Sequence, residues 1–175
     1  MKEYPILFSG PMGRAILAGR KTVTRRVDVG RWLRRKKGDR LWVRETWVYA
    51  RHGSYEVIRK KDPWPVRSAY DAAVMYKADY PGSCDDYDGH WRPSIFMHRW
   101  ASRVLLELTE DPRAENLQDI SPDDCFLEGI VDSPDLVRVK FAELWDSINA
   151  KRGHGWDLNR PVARVPFKRV YREAA

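Results

Sequence analysis

Gly19-Arg-Lys-Thr-Val-Thr-Arg-Arg26 marks the point where a helical pattern gives way to an alternating one. Upstream, Pro5-Ile-Leu-Phe8 is a short apolar run that predicts a first strand. Ser9 or Gly10 can cap a helix, Pro11 suits its first position, and Met12, Ala15 and Ile16 supply an apolar stripe. Gly19 is a natural stop, because the residue after a helix often needs a left-handed backbone. Downstream, Lys21 to Val27 alternates as a strand does. One phase carries Lys21, Val23, Arg25 and Val27, and the other carries Thr22, Thr24 and Arg26.

These residue types define what the stretch can do. Arg20, Lys21, Arg25 and Arg26 can hold an anion. Lys21 with Thr22 or Thr24 can do chemistry: a threonine hydroxyl attacks a carbonyl if a base removes its proton. Lysine becomes that base once burial or neighbouring cations lower its pKa. A plain strand with lysine and arginine on its surface explains the same residues. In a straight strand Lys21 and Thr24 point to opposite faces, so they converge only if the chain is still turning at Lys21.

The surrounding chain fits an α+β domain. At 175 residues with 43 % hydrophobic content, it is long enough to bury a core. No apolar run approaches the roughly 18–20 residues of a membrane span, and Met1 to Pro5 lacks a signal-peptide core. Two cysteines, neither in a Cys-x-x-Cys pattern, fit a reducing cytoplasm. The net charge of +7 is uneven: residues 1–40 carry twelve Lys and Arg against three acids, a net +9 that leaves −2 for residues 41–175. Such a basic segment fits a polyanionic partner, nucleic acid first, or a solvated basic face with no partner.

Arg31 to Arg40 reads as a basic loop ending in a Gly38-Asp39 turn. Leu41, Val43, Glu45, Trp47 and Tyr49 then share one strand phase, opposite Trp42, Arg44, Thr46 and Val48. Glu45 would thus sit among apolar neighbours and need a cationic or hydrogen-bonding partner. Alternatively the strand ends near Arg44 and leaves Glu45 at the rim. Tyr55–Ile58 and Ala73–Ala78 are candidate strands around the irregular Lys60-Lys-Asp-Pro-Trp-Pro65, and Tyr80 to His90 reads as a loop. Trp91 to Trp100 mixes aromatic residues with Arg92 and Arg99. That mixture can stack bases and hold phosphates, and loop residues packed on a barrel look the same.

A strand is expected over Ala101–Thr109. Ser121-Pro-Asp-Asp124 starts a short helix that stops at Glu128, with Gly129 beyond it. A glutamate at a helix C-terminus is disfavoured by roughly 0.3–1 kcal/mol, so Glu128 is either solvated or held by a nearby cation. Ser133-Pro-Asp135 caps a second helix with an apolar stripe of Val137, Phe141, Leu144, Trp145 and Ile148. Val162–Tyr171 is a last strand, and Pro166 inside it argues for an edge or a bulge. The four histidines occur singly, no phosphate-binding glycine motif or Gly-x-Ser-x-Gly elbow is present, and neither a metal nor a cofactor is expected.

Leu17-Ala-Gly-Arg-Lys-Thr-Val-Thr-Arg-Arg26 resembles the Gly-x-Lys-x-x-Thr signature of the ASCH domain family, part of the PUA-like superfamily. Lys37-Gly-Asp-Arg-Leu-Trp-Val-Arg44, Leu117 to Asp124 and Glu128-Gly129 resemble later segments of that family. The resemblance covers roughly residues 4–49 and 101–170. It implies one domain over residues 1–175: a small PUA-like β-barrel flanked by helices, with a loop-rich insertion at about 50–100. Some small bacterial members are N4-acetylcytidine amidohydrolases, and the resemblance places their functional residues on Lys21 as base, Thr24 as nucleophile and Glu128 as helper acid/base. Other members are thought to bind or cleave RNA. The longer form, with Trp91-Arg-Pro-Ser-Ile95, looks more like members found in phages and prophages.

The expected function is removal of an N4-acyl group from cytidine, in RNA or as a modified nucleoside. A non-catalytic RNA- or DNA-binding module and a metal-independent ribonuclease are the alternatives. Arg20, Thr22, Arg25, Arg26, Trp42, Arg44, Glu45, Trp91, Arg92, Arg99 and Trp100 are the candidate substrate or nucleic-acid contacts.

Overall fold

A computed structural model of the chain describes residues 1–50, 73–79 and 90–170. Strand β1 (Glu3–Leu7) leads to helix α1 (Gly10–Leu17), then β2 (Val23–Arg26), α2 (Val29–Trp32), β3 (Arg40–Arg44), β4 (Trp47–Ala50) and β5 (Ala73–Tyr76). Two 3-10 turns, Ser94–Phe96 and Arg99–Ala101, precede β6 (Leu105–Leu108) and β7 (Arg113–Asn116). Helices α3 (Pro122–Leu127) and α4 (Pro134–Asn149) follow, and β8 (Pro161–Val170) comes last. The fold is therefore mixed α and β. No described helix is long and apolar enough to cross a membrane.

The chain divides into two compact units. The first holds Met1–Glu3, Ala15–Leu41 and Leu105–Ala175, and the second holds Tyr4–Arg14 and Trp42–Val104. In the first unit β8 is central. Strand β2 pairs antiparallel along one side, with Thr24 opposite Val165. Along the other side β6 and β7 pair with it in tandem, Leu108 opposite Phe167 and Arg113 opposite Arg164. The step between β6 and β7 bends this edge, and the sheet curls.

Pro166 lies at that step, within a central strand rather than on an edge. The Phe167 N–H turns toward the β2 side and donates to the Thr22 carbonyl at 2.8 Å. The position of the missing Pro166 N–H therefore faces the other side, where the ladder is already interrupted. A proline costs no ladder bond there.

Helices α3 and α4 cover a core of Leu117, Ile120, Cys125, Val137, Phe141, Trp145 and Val162. Ser121 caps α3 as expected, its hydroxyl accepting from the Asp124 N–H at 3.1 Å. Ser133 departs from expectation: its side chain makes no cap bond to α4. The buried ridge of α4 is Val137, Phe141, Trp145 and Asn149, whereas Ile148 is 46 % exposed. A run of steps of four drifts around the helix and brings Asn149 inward in place of Ile148. Asn149 satisfies its amide on the Trp145 carbonyl at 3.2 Å.

The stretch 31–40 is more ordered than a loop. Asp28 caps α2, and Trp32 is buried. The Asp39 carboxylate accepts from the main-chain N–H of Lys2 at 3.0 Å and of Lys36 at 3.1 Å.

In the second unit β1 runs beside β3, and β4 pairs antiparallel with β5. The strand expected from Leu41 to Tyr49 is broken in two, with Glu45 and Thr46 between β3 and β4. Both readings of Glu45 meet here: the strand ends at Arg44, yet Glu45 is only 1 % exposed. Trp47, Met97 and Ala101 form the local core, with Val74, Tyr76 and Trp100 packed on it. The strand expected from Ala101 begins only at Leu105, because Arg99–Ala101 is a 3-10 turn. The expected strand Tyr55–Ile58, the Lys60–Pro65 stretch and residues 80–89 lie outside the described residues.

Phe141→Ala should test the first core directly. Removing a buried ring without collapse of the site costs about 3–5 kcal/mol, read as a lower urea midpoint at unchanged slope.

Candidate active site around Lys21 and Glu128

Lys21 is brought inward by the turn that closes α1. Gly19 adopts φ +73°, a left-handed value that side chains disfavour. The Arg20 and Lys21 N–H groups then both donate to the Ala15 carbonyl, at 2.9 and 3.1 Å. The expected strand does not begin until Val23, and Lys21 instead forms an isolated bridge with Glu128. The next residue joins the same helix end, the Thr22 N–H donating to the Leu127 carbonyl at 2.9 Å.

Glu128 ends α3, and Gly129 follows with φ +87°. A Cβ on Gly129 would lie 2.9 Å from the Ala15 Cβ and 3.1 Å from the Lys21 Cβ. Only glycine fits both the backbone and the space. This close approach lets the Lys21 amine reach the end of α3. Its Nζ donates to the Glu128 carbonyl at 2.8 Å and also to the Glu128 carboxylate. The amine is therefore one of the cations that holds the acid at an unfavourable helix end.

Arg25 is the second. Its Nη1 donates to Glu128 Oε1 at 3.3 Å, its Nη2 to Asp124 Oδ2 at 2.5 Å and its Nε to Glu115 Oε1 at 2.7 Å. Arg164 grips Asp124 with two bonds of 3.1 Å. Lys21 is 3 % exposed, Arg25 4 % and Glu128 5 %, so the central charges are removed from water. Buried charges require such pairing.

Burial lowers the Lys21 pKa below its ordinary 10.5, and the Arg26 and Arg25 charges push the same way against the pull of Glu128. Burial also brings Arg26 down to about 10. Burial opposes the Arg25 charge too, but Glu128, Asp124 and Glu115 outweigh it and raise its pKa. For Asp124, the hydrogen bonds from Arg164 and Arg25 overcome burial and hold the carboxyl below its usual range. Cys125 lies beside this network, and burial pushes its thiol up to about 11, so it is no ready nucleophile.

Thr24 is also buried, on β2 next to Arg25. Strand alternation sends its side chain to the face opposite Arg25, with Arg26. The charge of Glu128 nonetheless reaches Arg26. Thr22 is half-buried and Arg20 exposed.

The remaining candidates belong to the second unit. The Arg44 guanidinium lies 4.5 Å and that of Arg99 5.9 Å from the Trp42 ring centre. Arg92 lies 5.6 Å from the Trp47 ring, and Trp100 meets Trp47 edge-on at 6.2 Å. Trp91 is half-buried. Glu45 accepts two bonds of 2.9 Å from Arg103, which also binds Asp79 and covers the Tyr76 ring at 3.9 Å.

Sequence reasoning missed Glu115, Asp124 and Arg164 as network members, and Arg103 as the partner of Glu45. Asp124 carried only the signal of a first-turn helix acid. Among the described residues, no group of three or more His, Cys, Asp and Glu could hold a metal ion. No protein-family model, curated protein or solved structure matches the chain.

Two substitutions test these contacts. Gly129→Ala should cost more than about 2 kcal/mol in urea unfolding, because it combines a disfavoured φ with overpacking against Ala15. Arg103→Met should cost roughly 3 kcal/mol in thermal unfolding, because it leaves the Glu45 carboxylate buried and unpaired.

Proposed function

We propose that the Lys21 site is that of an amidohydrolase which removes an N4-acyl group from cytidine, as a nucleoside or within RNA. One observation carries the reading: a buried lysine with a depressed pKa is bonded to a buried glutamate, and Thr24 follows three residues later. The curled sheet of the first unit supports a PUA-like barrel as its frame. The Gly-x-Lys-x-x-Thr signature supports the same substrate class.

In this mechanism neutral Lys21 takes the Thr24 hydroxyl proton, and Thr24 Oγ1 attacks the acyl carbonyl carbon. Arg25 or Arg26 supplies positive charge for the oxyanion that forms. The proton passes through Lys21 or Glu128 to N4 as the C–N bond breaks, and cytidine leaves. Water then attacks the acyl-threonine ester, releases the carboxylic acid and returns the hydroxyl. The Thr24 side chain must approach Lys21 for the first step.

Acetate release from N4-acetylcytidine, and from RNA containing it, tests this reading. Lys21→Met and Glu128→Gln should each lower kcat by at least about 100-fold while circular dichroism remains native. Thr24→Ser should retain activity and Thr24→Ala should abolish it. The rate should rise with pH, with a midpoint below the ordinary lysine value of 10.5, because the neutral amine is the base. No acetate from either substrate overturns the proposal. Strand cleavage of labelled RNA without added metal would favour a ribonuclease instead.

A further inference from the structure

We propose that Asp124 and Glu115 are positioning residues for the Lys21–Glu128 pair. Acting through Arg25, they keep its guanidinium from taking both Glu128 oxygens and so reserve one for the Lys21 amine. The proposal deepens the hydrolase reading and rests on it for its kinetics, while titration of Lys21 tests it without turnover.

The geometry of one guanidinium carries the argument. Arg25 Nε and Nη2 both lie against Glu115 Oε1, at 2.7 and 2.6 Å. The other edge is divided: Nη2 donates to Asp124 Oδ2 at 2.5 Å and Nη1 to Glu128 Oε1 at 3.3 Å. A guanidinium edge fits the two oxygens of one carboxylate, so a buried glutamate beside it ordinarily receives both nitrogens. Here Glu128 receives one, by the longest of the Arg25 bonds, and its Oε2 accepts from Lys21.

Helix and sheet together place the two acids. Asp124 stands one turn before Glu128 on α3, the Glu128 N–H donating to its carbonyl at 2.9 Å, so the two carboxylates share a face. Arg164 fixes the Asp124 side chain, Nε donating to Oδ2 and Nη2 to Oδ1. Arg113, Arg164 and Arg25 lie directly opposite one another across β7, β8 and β2. Such a row of like charges requires acids, but acids anywhere along it would meet that need. Glu115 instead bonds to the buried Arg25 and stays 4.0 Å from Arg113, its neighbour on β7.

The charges that act on Lys21 are Glu128 from the end of α3 and Arg26 and Arg25 from β2. Asp124, Glu115 and Glu128 act in turn on Arg25, and Arg164 on Asp124. The Cys125 thiol beside them is pushed up to about 11 by burial and keeps its proton near neutrality. Replacing Asp124 by Asn leaves the Arg25 charge less offset and frees the whole Nη1–Nη2 edge for Glu128. Both changes disfavour the ammonium form of Lys21, so its titration moves to lower pH.

NMR titration of the lysine side chains in the full chain tests this, with the Lys21 signal assigned by its absence from Lys21→Met. In Asp124→Asn and in Glu115→Gln the Lys21 midpoint should fall below the native one. Glu143→Gln, which removes an exposed acid on α4, should leave it in place. In the acetate assay Asp124→Asn should lower kcat about tenfold at unchanged KM, because Asp124 acts on the general base through Arg25 and touches no substrate. Glu115→Gln changes a half-buried strand residue and decides the matter if Asp124→Asn does not fold. A Lys21 midpoint that stays in place in either folded variant overturns the proposal, even where kcat or the urea midpoint falls. If the native chain releases no acetate, the hydrolase reading fails, and the titration still decides the positioning.

Discussion

A lysine amine withdrawn from water must be given oxygen atoms to replace it, and that demand shapes the first unit. Lys21 finds them at the end of α3, one from the Glu128 carbonyl and one from its carboxylate. The amine can reach that far only because the chain turns back at Gly19 and because Gly129 carries no Cβ against Ala15 and Lys21. The contact therefore requires both glycines, the main-chain bonds to Ala15 and the termination of α3 at one residue. An acid at a helix C-terminus would ordinarily weaken the helix. Here the same acid offsets two buried cations.

Arg25 extends this pairing into a network. It spends one guanidinium on three carboxylates, and Arg164 shares the load at Asp124. The consequence for chemistry is a difference between the two central cations. Arg25 is surrounded by acids and held charged. Lys21 has less compensation, feels Arg25 and Arg26, and gives up its proton more easily. A group that gives up its proton more easily than its fixed, charged neighbours is what general acid/base work asks for. The second unit repeats the motif with Arg103 between Glu45 and Asp79, but there the arginine stays charged and the arrangement holds structure.

Much of the first unit was legible in local pattern. The helix stop at Gly19, the Ser121 cap, the end of α3 at Glu128 and the last strand all follow from residues within one turn of each other. Lys21 and Glu128 were legible as candidates for the same reason, while local pattern left Thr22 and Thr24 both open. What local pattern could not supply was depth. Arg164 looks like an ordinary strand residue and Glu115 falls in no expected element until β7 and β8 bring them to Arg25. Pro166 reads as an edge signal, because sequence does not reveal that β6 stops and β7 starts opposite it. The strand from Leu41 to Tyr49 alternates without interruption in sequence, yet it breaks at Glu45 where the carboxylate is held by Arg103. In α4, the expected stripe placed Ile148 inward, and the drift of four-residue steps turned Asn149 inward instead.

Sequence by itself determined the turn chemistry: which residues end helices, which alternate, and that Lys21, Thr24, Arg25 and Arg26 occupy one short segment. Those properties are set by backbone sterics and by neighbours a few positions away. Tertiary structure alone decided which charges meet. Lys21 and Glu128 are separated by more than a hundred residues, and their pairing depends on a glycine contact that no spacing rule encodes. The pKa of Lys21 follows from that meeting, because burial and neighbouring charge are properties of the packed molecule and not of the chain.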